Sequence, residues 1–440
     1  MAPEYLAIIM LAVSIALVIA GCRVAFALAG AALFFGVFSG EGGMLLSMFP
    51  RRVFDNMSSI SVQAVTCFVL MGAVLETSGV AAKFYDGLYL LIGRLRGGLL
   101  YATMIIATAF AACTGVVGAS VVAIGLIGLP SMLKRGYDKS LVAGTICTGG
   151  GLDVIIPPSI LLILYGSVAG TSIAELFFAA IIPGLIMSGL YITYIAVRTK
   201  LNPQLAPALP PEESEVPFRK AMRLLAVSVL PTGGLIVAVL GSIFFGVAAP
   251  TEAASVGAVV ALLILIAYGK FNLQNLVAIL KRTLSTIGMA MFIVVCASFF
   301  TTVFMGLGGG DLVKETILNV GGGKAGAIAM MLGIVVIMGM FMDWIAILYI
   351  VVPLYSPVVA MLGIDPLWFA IMYCIALKIS YTTPPFAYAV FFLRGIAPPE
   401  VSVVDIYKGV YPYVLLDFVA ILLVYFFPIL PSWLPNLMKV

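Results

Sequence analysis

The sequence predicts an all-α membrane protein built as an inverted repeat, with two re-entrant hairpins and two broken helices. Three observations carry that expectation. Of the 440 residues, 63% are hydrophobic and only 10% charged, too little charge for a soluble chain of this size. Paired prolines interrupt two strongly apolar stretches, Ile155-Ile156-Pro157-Pro158-Ser159 and Thr382-Thr383-Pro384-Pro385-Phe386. A single offset relates them: 384 − 157 is 227, and the same offset links Gly136 to Gly363, Asp138 to Asp365 and Pro130 to Pro357. Proline removes a backbone donor and breaks the helical ladder. Inside a bilayer such a break survives only where protein or a wet cavity satisfies the freed carbonyls. Matching breaks in two halves point to the binding site of a secondary transporter.

The elements follow in order. Residues 5–20 and 25–38 read as two spans, each approaching the roughly 20 residues that cross a bilayer. The first lacks a basic flank and a small-residue cleavage site, so it reads as a retained helix. An amphipathic stretch, 44–57, carries Arg51, Arg52 and Asp55, and 62–80 is a third span. Residues 97–133 read as a hairpin interrupted at 113–120. Each arm has about 15 residues, short of a crossing at ~1.5 Å per residue. Arg94 and Arg96 precede it, and Lys134 and Arg135 follow. Two basic ends on one side argue for a re-entrant hairpin that opens to the cytoplasm, with two short tilted spans as the alternative. A broken span at 141–166 and a returning span at 174–197 complete the first repeat, 1–197. The polar connection 198–223, with Arg198, Lys200, Arg219, Lys220 and Arg223, reads as a cytoplasmic linker.

The second repeat, 224–440, restates the order. Spans at 224–246 and 250–268 lead to an amphipathic stretch at 271–283 and a span at 284–306. A second hairpin covers 324–362, broken near Met342-Asp343-Trp344, followed by a broken span at 366–393 and a last span at 411–428. An odd number of crossings per half puts both termini outside, which sets Arg51 and Arg52 against the positive-inside rule. The amphipathic stretches read as arms along the membrane surface. Glu252 reads as a helix cap, Glu76 as a residue near the end of its span, and Asp311, Lys314 and Glu315 as a solvated loop. Asp417 reads as a contact for a partner subunit.

Several activities are excluded. The chain has no histidine, which removes histidine proton relays, histidine ligation of haem and Ser–His–Asp chemistry. Its six cysteines are scattered without a CxxC, so they suggest neither a disulfide framework nor a metal knot. No Walker A sequence is present, so an ion gradient or a partner must supply the energy. The net charge of +4 is spread over loops and implies no nucleic-acid partner. No catalytic residue or organic cofactor is expected, and an integral membrane enzyme is the weaker reading.

The residues then resemble a family. Thr114–Val122, Lys134-Arg135-Gly136-Tyr137-Asp138-Lys139, Ile155–Ile160, Pro183-Gly184-Leu185, Pro250-Thr251-Glu252-Ala253, Met342-Asp343-Trp344-Ile345-Ala346 and Gly363–Phe369 are similar to the large membrane subunit of tripartite ATP-independent periplasmic (TRAP) transporters. The likeness covers nearly the whole chain. It implies a fold like that of the ion-transporter superfamily and an elevator-like motion in a bacterial inner membrane. It also implies a sodium-coupled importer of small organic anions, either carboxylates or sulfonates. Two partners are implied, a small four-helix membrane subunit and a periplasmic substrate-binding protein. Two residues depart from the pattern: Asp153 stands where the resemblance leads one to expect glycine, and Lys378 where it suggests glutamine.

The site expectations join both arguments. Unwound backbone supplies carbonyls and nearby hydroxyls add ligands. A first sodium site is expected from Thr114, Gly115, Gly118, Ser120, Gly149, Gly150, Gly151, Ile155 and Pro157. A second is expected from Asp343, Trp344, Ser380, Thr382, Thr383 and Pro384. Glycines at such positions also serve tight helix packing. Lys378, Asp153, Ser159 and Thr382 are the candidate substrate contacts. Lys378 and Asp153 stand at nearly equivalent repeat positions, as 378 − 227 is 151. They are expected either to pair or to receive and balance an anionic group. A self-sufficient ion-coupled permease of similar design and a non-transporting membrane scaffold remain open as alternatives.

Overall fold

The computed structural model describes residues 3–39, 42–208 and 218–438. It is all-helical. The first half comprises α1 (Pro3–Ile19), α2 (Val24–Phe38), α3 (Gly42–Met57), α4 (Ile60–Ser78), α5 (Val80–Ile92), α6 (Gly98–Thr114), α7 (Val117–Leu133), α8 (Lys139–Gly150), α9 (Ile160–Ala169) and α10 (Ile173–Leu201). The second comprises α11 (Phe218–Phe244), α12 (Pro250–Ala267), α13 (Leu273–Gly306), α14 (Gly309–Leu318), α15 (Gly323–Gly339), α16 (Trp344–Met361), α17 (Pro366–Ser380), α18 (Tyr388–Ile396), α19 (Val403–Phe426) and α20 (Ile429–Met438). Six of these are long and apolar enough to cross a membrane: α4, α10, α12, α13, α16 and α19.

The same capping chemistry starts matching helices in both halves. Asp138 accepts from the Leu141 N–H at 2.8 Å to begin α8, and Asp365 accepts from the Trp368 N–H at 3.0 Å to begin α17. Ser172 caps α10 through the Glu175 N–H, and Ser402 caps α19 through the Asp405 N–H. Each side-chain oxygen satisfies one of the amides that a helix start leaves without a partner. Glu252 accepts from the Ala249 N–H at 2.8 Å and so closes the start of α12.

Contacts between helices are reciprocal. α6 lies on α8 as α15 lies on α17, α7 on α18 as α16 on α9, α8 on α19 as α17 on α10, and α2 on α13 as α12 on α4. The closest of these approaches is at Gly144 of α8 and Gly409 of α19. A Cβ on Gly409 would lie 1.8 Å from the Ser140 carbonyl oxygen, and one on Gly144 would lie 2.1 Å from that of Gly409. Backbone cannot yield there as a side chain would. Gly409→Val should therefore cost more than the ~1–3 kcal/mol typical of overpacking, read as a lowered thermal midpoint and a loss of monodisperse protein in detergent.

Several expectations need correction. The stretch 271–283 is not a separate arm: it continues into the following span as α13, 34 residues long. No Gly or Pro occurs between 273 and 287 to stop the helix, and at ~1.5 Å per residue it is roughly 50 Å long. Asp311, Lys314 and Glu315 belong to helix α14 rather than to a loop. Two further short helices, α5 and α20, went unforeseen. The linker is shorter than 198–223: α10 runs to Leu201 and α11 begins at Phe218, and residues 209–217 of the linker lie outside the described residues.

Candidate functional site: two helix breaks around one cavity

The first break lies between α8 and α9. α8 ends at Gly150, so Gly149 and Gly150 are still helical, and the chain tightens into a single 3-10 turn, Gly151–Val154. Ile155–Ser159 then lies outside any helix: the Ile155 and Ile156 amides still bond back to Leu152, a cis bond joins Pro157 to Pro158, and the Ser159 hydroxyl donates to the Val154 carbonyl at 2.8 Å. Facing it is the interruption between α6 and α7. Gly115 there takes φ +61, a left-handed conformation that glycine adopts without strain, and it abuts the Pro158 carbonyl and the Ile160 amide. The two interruptions are tied through Asp153. Its Oδ2 accepts from the hydroxyls of Thr114 (2.8 Å) and Ser120 (2.5 Å), which are 2.7 Å from one another. Gly118 lies against the Phe392 ring.

The second break repeats the arrangement with different groups. α17 ends at Ser380, a cis bond joins Pro384 to Pro385, and α18 starts at Tyr388. The hydroxyls of Thr382 and Thr383 donate back to the Ile379 carbonyl, and that of Ser380 to the Leu377 carbonyl. The facing interruption is between α15 and α16, where Asp343 caps α16 by accepting from the Ile345 N–H at 2.9 Å. The Phe386 N–H donates to the Met340 carbonyl at 3.2 Å and fastens the two interruptions together. Trp344 is the first residue of α16.

Between the breaks lies a cavity of about 100 Å³. Its wall includes Gly115–Gly118, Ser159, Asp343, Trp344, Tyr381 and Tyr388. Four helices begin on that wall: α7, α9, α16 and α18. A helix start carries unpaired N–H groups and the positive end of the helix dipole. No Lys or Arg contributes to the lining. Val116, Gly118, Met289 and Phe392 are shared with a larger cleft of about 290 Å³, which holds the Glu76–Arg282 ion pair (2.7 Å) between α4 and α13.

The charged candidates are placed differently from expectation. Asp153 and Lys378 do not pair. Lys378 donates to both oxygens of Asp417, at 2.8 and 2.7 Å, and all three of Lys378, Asp417 and Tyr191 lie within a hydrogen-bonded group that is fully buried. The Tyr191 hydroxyl donates to Asp417 and accepts from Lys378. The physical reason is direction: the Lys378 stem crosses over Gly151 toward α10 and α19, whereas Asp153 turns toward the tip of the α6–α7 pair. Asp417 therefore faces the protein interior and not a partner subunit. Neither Lys378 nor Thr382 lines the cavity, while Ser159 does. Sequence reasoning missed Tyr191 as a member of this group. The signal was present, because 417 − 191 is 226, within one residue of the repeat offset.

The family profile described as "Tripartite ATP-independent periplasmic transporter, DctM component" matches residues 9–430. The chain belongs to the DctM family. It is similar to the C4-dicarboxylate TRAP transporter large permease protein DctM of Vibrio cholerae, with 31% identity over 85% of each chain. It is also similar to the ectoine TRAP transporter large permease protein TeaC of Halomonas elongata, with 27% identity over 98% of this chain and 99% of that one. Among solved structures, the YdaH transporter of Alcanivorax borkumensis has the same overall fold. The TM-score is 0.60 at 16% identity, over 90% of this chain and 89% of that one. Membership makes the chain an integral protein of the inner membrane. Its relatives are transporter permeases and not enzymes. The family works as the large membrane component of a three-part system with a small membrane subunit and a periplasmic binding protein.

Proposed function

We propose that this chain is the large permease of a sodium-coupled TRAP importer, carrying a small organic anion, a carboxylate or sulfonate, handed over by a periplasmic binding protein. The observation that supports this most directly is the convergence of four helix starts on one cavity without a basic side chain. The positive dipole ends favour an anionic group there, as at other helix N-termini, while the Ile345 and Ala389 amides are already taken by Asp343 and the Tyr381 carbonyl. Ser159, on the wall, adds a hydroxyl. Lys378 is not the anion's receptor in this reading.

Cations belong at the two breaks. The first site draws on Thr114, Gly115, Gly118 and Ser120 with Gly149–Gly151, Ile155 and Pro157, and the second on Asp343, Trp344, Ser380, Thr382, Thr383 and Pro384. Coupling follows from charge. The Asp343 carboxylate sits on the cavity wall and repels an anion until a sodium ion neutralises it. Each ligand thus raises the affinity of the other by the same factor. The cavity is smaller than the ~300 Å³ at which ligand sites usually begin, so entry requires the neighbouring cleft to open. In this reading the α6–α7 and α15–α16 pairs and the two broken helices move as one body against α2, α4, α12 and α13, an elevator-like motion.

The test is uptake by proteoliposomes that hold this chain with its small subunit, using the binding protein from the same gene neighbourhood and the ligand that co-purifies with it. The proposal expects uptake only with binding protein and an inward sodium gradient. Equal uptake in choline, or without the binding protein, contradicts it.

A further inference from the structure

We propose that Asp153 is a direct ligand of the cation at the first break, so that this site carries a formal negative charge supplied by the side chain. The inference rests on the sodium reading given above and adds a residue and a charge to it. Asp153 is fully buried, and its Oδ2 is filled by the hydroxyls of Thr114 and Ser120. Its Oδ1 is buried and has no hydrogen-bond partner. A buried carboxylate oxygen left bare is costly, and an unbalanced buried charge costs more.

No protein cation balances it. The buried charged side chains among the described residues are Asp153, Asp343, Asp417 and Lys378. Lys378 is taken by Asp417. One uncompensated carboxylate therefore remains at each break, Asp153 at the first and Asp343 at the second. The backbone around the first break is mixed: Ser120 and the Val116 amide bring the positive start of α7 to Asp153, while two helix C-termini also meet there. Asp153 lies on a 3-10 turn just past the end of α8, and its hydroxyl partner Thr114 is the last residue of α6. Helix C-termini present carbonyl oxygens and the negative dipole end, which disfavour a carboxylate and favour a cation. A bare carboxylate oxygen, two hydroxyls and terminal carbonyls form an all-oxygen donor set suited to a hard cation. Where the family resemblance leads one to expect glycine at position 153, such a site would be neutral. In this chain both sites have a carboxylate.

The test measures sodium on the purified full-length chain in detergent, by ²²Na⁺ binding and by the thermal midpoint as sodium replaces choline at constant ionic strength. Wild type should bind sodium at two sites. Asp153→Asn, which can still hydrogen-bond the two hydroxyls, should weaken one site by at least the roughly tenfold that loss of even an outer-shell partner costs a metal site. Its midpoint in choline should rise above wild type, because the uncompensated charge is gone, and the slope of midpoint against log sodium should fall to roughly half. Asp153→Gly should reproduce the loss of affinity, and Asp343→Asn should weaken the other site. If Asp153→Asn binds sodium as wild type does while Asp343→Asn does not, Asp153 is no ligand and the sodium reading stands. If folded wild type binds no sodium, the sodium reading itself fails, and this inference with it.

Discussion

Lys378→Met should destabilise the folded chain by about 3–5 kcal/mol, because it leaves the Asp417 carboxylate charged and uncompensated in a fully buried position. Lys378 holds both oxygens of Asp417, and Tyr191 donates to Asp417 Oδ1 and accepts from Lys378, so removing the ammonium strips the group of its only cation. The triple replacement Lys378→Met, Asp417→Leu, Tyr191→Phe should recover most of the loss. Exchanging a buried ion pair for apolar side chains of similar volume is often neutral or stabilising. Thermal midpoints in detergent check both statements. If the triple variant, recovered to wild-type stability, also transports substrate at the wild-type rate, the group serves only to fasten α17 to α10 and α19. A single Lys378→Met variant as stable as wild type would contradict the pairing itself.

Gly118→Leu should abolish uptake while leaving the protein folded. Gly118 lies at the start of α7 on the cavity wall, and a Cβ there would come within 2.6 Å of the Phe392 ring. That ring is the partly exposed end of a flexible side chain, so it can swing aside and the fold survives. The leucine then occupies the space between the breaks. One surplus methylene in a fitted pocket costs roughly 10–200-fold in discrimination, and leucine adds four carbons. Uptake by proteoliposomes, set beside an unchanged thermal midpoint in choline, separates a blocked cavity from a damaged fold.

The broken helices were legible because proline leaves a local mark. Pro157-Pro158 and Pro384-Pro385 interrupt apolar runs at one offset, and the structure has non-helical chain at both places. Glu252 was legible as a cap for the same reason: a carboxylate two residues after Pro250 has one near amide to satisfy. What was not legible depends on direction and on distant partners. The continuity of α13 is not legible locally, because the composition changes from amphipathic to apolar within one uninterrupted helix. Lys378 and Asp153 stand at nearly equivalent repeat positions, which suggested a meeting. Sequence position does not say which face of α17 carries Lys378, and the side chain turns away toward Asp417. The meeting of four helix starts at one cavity was hidden too, since where helix ends converge depends on tertiary packing and on no local residue pattern.

The central claim is that the two breaks hold cations on either side of the anion. A cryo-electron microscopy map of the permease with its small subunit, recorded in sodium and again in choline, tests it most directly. The account predicts two peaks present only in sodium, one among Thr114, Ser120 and Asp153, the other beside Asp343 and the Thr382–Thr383 turn. Maps alike in the two salts, with no density at either break, would contradict it.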